Sequence, residues 1–215
     1  MTAHRSPTAP LEATTPGGQG RFPGYDVLEQ SPTWDDVTAA TVLARLRVTG
    51  PPRFFTATEE TVARSLLDRL LAQDEEPKIP VFEMVDARLA DNQTDGWHHE
   101  DLPEDRQVWR RSVAALDICA VHNHGEAFGR LGRDDQVALL EGVRTGDRWQ
   151  GLPAARIWDL WLRYACTAFY AHPWAWNEIG FGGPAYPRGY KNLGLNRREP
   201  WEVADADGSD PLRSP

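Results

Sequence analysis

The chain has 215 residues and a mass of 24.1 kDa, room for one domain with tails. A formal net charge of −9 repels phosphate backbones and anionic lipid surfaces, which argues against nucleic-acid and membrane-surface binding. No apolar run approaches the ~20 residues that cross a bilayer. The opening Met1-Thr2-Ala3-His4-Arg5 carries neither an apolar export segment nor a twin-arginine pair, so a cytoplasmic location is expected. Cys119 and Cys166 form no metal-spaced pair and read as buried thiols.

In chain order, residues 1–24 are rich in Pro and Gly, hold almost no large apolar residue and predict a flexible tail. Ser31 or Thr33 can cap a helix over 34–47 that carries Val37, Leu43 and Leu46. Thr56-x-x-Glu59 is a capping-box pattern. It opens a helix with Val62, Leu66, Leu67, Leu70 and Leu71 at three-to-four spacing. Pro80 suits the first turn of the next, with Val81, Val85 and Leu89 on its stripe. The longest helix starts near Glu104, with Trp109, Val113, Leu116 and Ala120 recurring, and runs toward Arg130 with a bend at Gly125. Gly132 reads as its stop, Asp134 as the cap of a short helix, and Pro153 as the opening of a strong helix to Tyr170. No run alternates as a strand does. The expected fold is all-α: one domain over 25–203, a bundle of about six helices, with a long irregular aromatic segment at 171–203. Asp-rich residues 204–215 predict a second flexible tail.

Composition is uneven. Residues 149–190 carry Trp149, Trp158, Trp161, Trp174 and Trp176, five of the nine tryptophans, with Tyr164, Tyr170, Tyr186, Tyr190, Phe169 and Phe181. Trp and Tyr offer large contact area at low entropy cost, and with Arg they dominate protein–protein hot spots. Two readings fit: a loop that docks a partner, or a loop folded back over its own bundle. The docking reading selects Trp174, Trp176, Phe181, Tyr186, Arg188 and Tyr190 as anchors, with Pro173, Gly180, Gly182 and Gly183 shaping the loop.

Catalytic constellations are sparse. His122-x-His124 beside Cys119 is a weak metal candidate, because helix positions two apart point about 200° apart. The pair His98-His99 sits in a polar loop. His172 reads as a capping residue favoured by the C-terminal dipole of the preceding helix. Asp117 and Glu178 are lone carboxylates without a paired acid. No nucleotide-binding glycine loop, nucleophile elbow or zinc-protease motif occurs, which points away from an enzyme acting alone.

One stretch resembles a known family. Phe169, Tyr170, His172, Pro173, Trp176, Ile179, Gly180, Phe181 and Gly182 are similar to the C-terminal signature of the gluconate 2-dehydrogenase subunit 3 family. Phe128-x-x-Leu131, Gln136-x-x-Leu139-Leu140 and Phe54-Phe55-Thr56 extend the resemblance over 54–190. Trp174-Ala175-Trp176-Asn177 departs from the Tyr-Gly-Gly-Asn phrase usual after the proline. The resemblance implies a small helical subunit with no catalytic residue and no metal or cofactor of its own. Its partner would be a large FAD-dependent dehydrogenase of the glucose–methanol–choline (GMC) class acting on a sugar or polyol. It also allows His172 or Asn177 to line the partner's substrate entrance. The rival expectation is a stand-alone metal-dependent enzyme using His122, His124 and His172, with Glu178 as a further ligand.

Overall fold

The first turn of a helix needs acceptors for its free N–H groups, and the sequence supplies them at particular places. In a computed structural model, which describes residues 22, 24–192, 194 and 197–203, the chain is mostly helical. Helices run over Asp36–Arg45 (α1), Ala57–Leu70 (α2), Val81–Ala90 (α3), Asp105–His124 (α4), Arg133–Thr145 (α5), Ala154–Ala171 (α6) and Pro173–Ile179 (α7). Val27–Thr33 and Phe128–Arg130 form 3₁₀ turns. Arg148–Trp149 (β1) pairs antiparallel with Leu152–Pro153 (β2), in register Arg148 with Pro153 and Trp149 with Leu152. Apart from Phe22 and Gly24, the tails expected at 1–24 and 204–215 lie outside the described residues.

Thr56 and Glu59 form the reciprocal capping box that the sequence predicts for α2. Other boundaries differ. Asp35, not Ser31 or Thr33, caps α1 by accepting from the Thr38 N–H at 2.8 Å. The long helix stops at His124 rather than Arg130, because Gly125 turns left-handed. Gly132 precedes α5 as its N-cap instead of ending the helix before it. Residues 171–203 are not wholly irregular, since α7 lies within them. Cys119 and Cys166 are free and half-buried rather than fully buried.

The described residues fall into two compact units. The larger comprises Arg47–Asp74 and Ile79–Ala171 and contains α2 to α6. Its core is aromatic: Phe55 lies edge-on to Phe54 and Trp109, Trp109 edge-on to Tyr164, and Trp161 edge-on to Trp149 and Trp158. Burial of Trp109, Trp161, Tyr164 and the α2 leucines Leu66 and Leu67 supplies its main driving force.

Two buried carboxylates fix how the helices meet. Asp86 of α3 accepts from the backbone N–H groups of Arg53, Phe54 and Phe55 at 2.6, 3.0 and 2.9 Å. It thereby ties the turn before α2 to α3. Asp105 at the start of α4 accepts from Tyr164 Oη at 2.8 Å and from Arg163 at 3.1 Å, both on α6. Burial, followed by the Asp105 hydrogen bond, pushes the Tyr164 phenol above its usual range, so it stays a donor.

The clamp at Asp86 yields a stability test. Asp86→Ala leaves three buried or half-buried N–H donors without an acceptor, and stability should fall by about 3 kcal/mol or more in urea unfolding. Asp86→Asn, which keeps an acceptor oxygen, should lose less. A loss under ~0.5 kcal/mol for Asp86→Ala would remove the clamp from this account.

Candidate partner-docking site

The smaller unit comprises Met1–Leu46, Glu75–Lys78 and His172–Pro215, so far as they are described. It is built around α7. His172 is the N-cap of that helix: its Nδ1 accepts from the Trp174 N–H at 3.2 Å, and Pro173 occupies the first helical position. The sequence placed His172 at the end of the preceding helix; the structure gives its acceptor to the start of the next one. A neutral imidazole with a lone pair on Nδ1 can do this, and an imidazolium cannot.

The C-terminal end of α7 explains the Ile-Gly-Phe phrase. Gly180 adopts φ 68°, the Phe181 N–H donates to the Trp176 carbonyl at 2.9 Å, and the Gly180 N–H to that of Asn177 at 3.4 Å. This is the double closure of a Schellman motif. Its usual apolar contact is also present, with the Phe181 ring edge-on to Trp176 at 5.4 Å.

Residues before α1 and within it hold α7 in place. Trp176 packs in a buried cluster with Val27, Trp34 and Val42, and the Arg45 guanidinium lies 5.8 Å from its ring. Asn177 Oδ1 accepts from the Val27 N–H at 2.8 Å, and its amide donates to Asp26 at 3.3 Å. A Cβ built on Gly180 would lie 2.6 Å from the Phe22 ring, and one on Gly183 would lie 2.8 Å from Trp34. Tyr25 Oη donates to the Phe181 carbonyl at 3.3 Å.

The predicted site residues therefore divide. Trp176 is a core residue of this unit, 6% exposed, and not a surface anchor. His172 and Asn177, expected as substrate-entrance residues, are buried in this chain with their polar atoms engaged. Pro173 and Gly183 are also buried, and Gly182 lies against Trp201. Trp174 is half-buried against the His172 ring. Phe181, Tyr186 and Tyr190 are 41%, 67% and 48% exposed. Arg188 is half-buried: it donates to Thr33 Oγ1 at 3.0 Å and to the Gly182 carbonyl, and it stacks on Trp201 at 4.1 Å.

Sequence reading missed four supports. Tyr25, Trp34 and Trp201 each lie far in sequence from the ring or backbone they hold, and no local pattern announces such contacts. Glu199 is buried and accepts from the N–H groups of Lys191 and Asn192. Its signal was faint: it is the first acidic residue after Glu178.

The metal candidates behave as ordinary side chains. His122 and His124 occupy the last turn of α4 without a break between them, and His124 Nδ1 lies 3.6 Å from Asp135. Asp117 accepts from the Phe128 N–H at 2.9 Å and so orders the turn after α4. Among the described residues, no group of three His, Cys, Asp or Glu is arranged to hold a metal ion, and no helix is long and apolar enough to cross a membrane.

A family model, gluconate 2-dehydrogenase subunit 3, matches residues 57–183. The match runs from the first residue of α2 to the glycine packed on Trp34, and stops short of the exposed Tyr186 and Tyr190. No curated protein and no solved structure matches the chain.

His172 makes the smaller unit acid-sensitive. Burial, then the nearby Arg45 charge, lowers its pKa from 6.5 to about 4, against a weaker opposing hydrogen bond to the Arg45 backbone. The folded pKa lies below the unfolded one. The contribution is therefore full above about pH 6.5 and is lost as pH falls from there toward about 4, where the unfolded chain binds a proton that the native chain refuses. His172→Asn keeps a capping acceptor without the titration. Its unfolding midpoint should change less than the wild type's between pH 7.5 and 5, a comparison that chemical denaturation at both pH values makes; equal changes would exclude His172 as the source. At neutral pH, Trp176→Ala should cost about 3–5 kcal/mol of the smaller unit's stability by the same method, as core truncations of large aromatics do.

Proposed function

The chain belongs to the gluconate 2-dehydrogenase subunit 3 family, and from that membership we propose that it is the small, non-catalytic subunit of an FAD-dependent GMC-type dehydrogenase acting on a sugar or polyol. The family match supports association with a dehydrogenase complex. The GMC class of the partner, its FAD and its substrate class are our reading. The observation that carries the docking role is the exposed aromatic set Phe181, Tyr186 and Tyr190, which follows directly on the anchored helix α7. Monomeric surfaces seldom group large aromatic rings, and such groups mark contact sites.

The physical task is stabilisation by mass action. A subunit that binds only the folded, flavin-loaded form of its partner stabilises that form by about 2.7 kcal/mol when present at a hundred times its dissociation constant. No chemistry is required of the small chain. Flavin, substrate and electron transfer belong to the large one in this scheme.

Co-purification tests it. A tagged copy expressed in its native host should retain a second chain of several hundred residues, and the eluate should show oxidised-flavin bands near about 370 and 450 nm. Sugar or polyol oxidation with an artificial electron acceptor should travel with the pair. A colourless single chain would overturn the proposal. A retained dehydrogenase without flavin would overturn its GMC part alone.

A further inference from the structure

The stretch between α7 and Glu199 carries a charge opposite to the net charge of the chain. Between Glu178 and Glu199 there is no acidic residue, while Arg188, Lys191, Arg197 and Arg198 are all basic. Of the acids that follow, Glu199 and Glu202 lie among the described residues. Glu199 is 4% exposed, and its carboxylate faces inward onto the N–H groups of Lys191 and Asn192 and the Asn192 amide. Glu202 is exposed and accepts from the Glu199 N–H at 2.7 Å, so one surface acid stands beside the four basic residues. Lys191, Arg197 and Arg198 are exposed.

Trp201 gathers part of this stretch around its ring. Gly182 lies against the Trp201 ring, Arg188 stacks on it, and Tyr190 approaches it at 6.4 Å. The Arg188 hydrogen bond to the Gly182 carbonyl closes the stretch between Phe181 and Arg188 into a loop, with Tyr186 at its exposed turn. On a chain of net charge −9, a local basic stretch orients encounter with an acidic partner, because it is attracted while the net charge of the chain is repelled.

We propose that Phe181, Tyr186, Tyr190, Lys191 and Arg197 form a basic–aromatic face that docks on an acidic protein surface of the dehydrogenase subunit. This rests on the subunit reading above. Tyrosine and arginine are the side chains most enriched where protein interfaces concentrate their energy. The overall negative charge of the chain opposes the other polyanions, lipid headgroups and nucleic acid, at long range.

The test compares the full-length wild type with the double variant Lys191→Glu/Arg197→Glu, both tagged, against the flavoprotein that co-purifies with the wild type. Both substituted residues are exposed, so thermal unfolding of the variant should match the wild type and serve as the folding control. Association of the wild type should slow steeply between about 50 and 300 mM NaCl. The variant should associate about tenfold or more slowly at low salt, with a flatter salt dependence. Tyr186→Ala should instead speed dissociation while leaving the salt dependence intact. Equal rates and equal salt dependence for wild type and double variant would overturn the face while leaving the subunit reading standing. Retention of no flavoprotein by the wild type would overturn both. Vesicles of phosphatidylserine and phosphatidylcholine, and a short DNA duplex, complete the set. Binding of either by the wild type and not by the double variant would reassign the face to a polyanion and overturn the protein docking proposed here.

Discussion

No side chain fits at Gly180 or Gly183, and the sorting of the C-terminal aromatics follows from that exclusion. At both positions the backbone is left-handed and runs directly against an aromatic ring, Phe22 in one case and Trp34 in the other. The first turn folds Phe181 back over Trp176; the second presses the chain onto Val27 and Trp34. Trp176 is thereby enclosed, and the chain that emerges beyond Gly183 carries Tyr186 and Tyr190 outward. A Cβ at either glycine would face both an unfavourable φ and a ring that has little room to move.

Buried or partly buried acids recur as backbone anchors in this chain. Asp86 holds the turn before α2, Asp117 the turn after α4, and Glu199 the residues that follow Tyr190. Each accepts N–H groups that no helix or strand would otherwise satisfy, the role for which a carboxylate is strongest. A formal charge of −9 is consequently a poor guide to any one patch of surface. Glu199 is an example: its carboxylate is engaged by the N–H groups of Lys191 and Asn192 inside the fold.

The helical class, the capping box of α2 and the main apolar stripes were legible because they depend on residues three or four apart. The Ile-Gly-Phe phrase was legible as a loop former, and it proved to be a helix stop. What could not be read were contacts made across long stretches of chain. Trp176 resembles an interface anchor in composition, and only the arrival of Val27, Trp34 and Val42 about it makes it a core residue. His172 was recognised as a cap, but of the helix before it; it serves the next helix instead, which Pro173 opens from the first helical position. Of the residues chosen from sequence for docking, Trp176 is buried by the chain's own N-terminal segment, and the exposed Tyr186 and Tyr190 lie beyond the family match.

That division bears on how the proposed docking would be both specific and inexpensive. A mobile aromatic loop would lose much of its contact energy to ordering, at about 0.5–1.5 kcal/mol for each immobilised side chain. Here the ordering is done within the chain. Arg188 is held between Thr33, the Gly182 carbonyl and the Trp201 ring, and Tyr190 has Trp201 beside it. The buried aromatics thus serve the exposed ones: Trp176 and Trp34 fix the path of the backbone, and that path presents Tyr186 and Tyr190 in a set arrangement. A substitution in the buried group would weaken docking through loss of this arrangement and through stability together. A substitution in the exposed group would weaken docking alone. The two tryptophans and the two tyrosines, so alike in composition, are in this way separated by burial, and under the proposed docking by function as well.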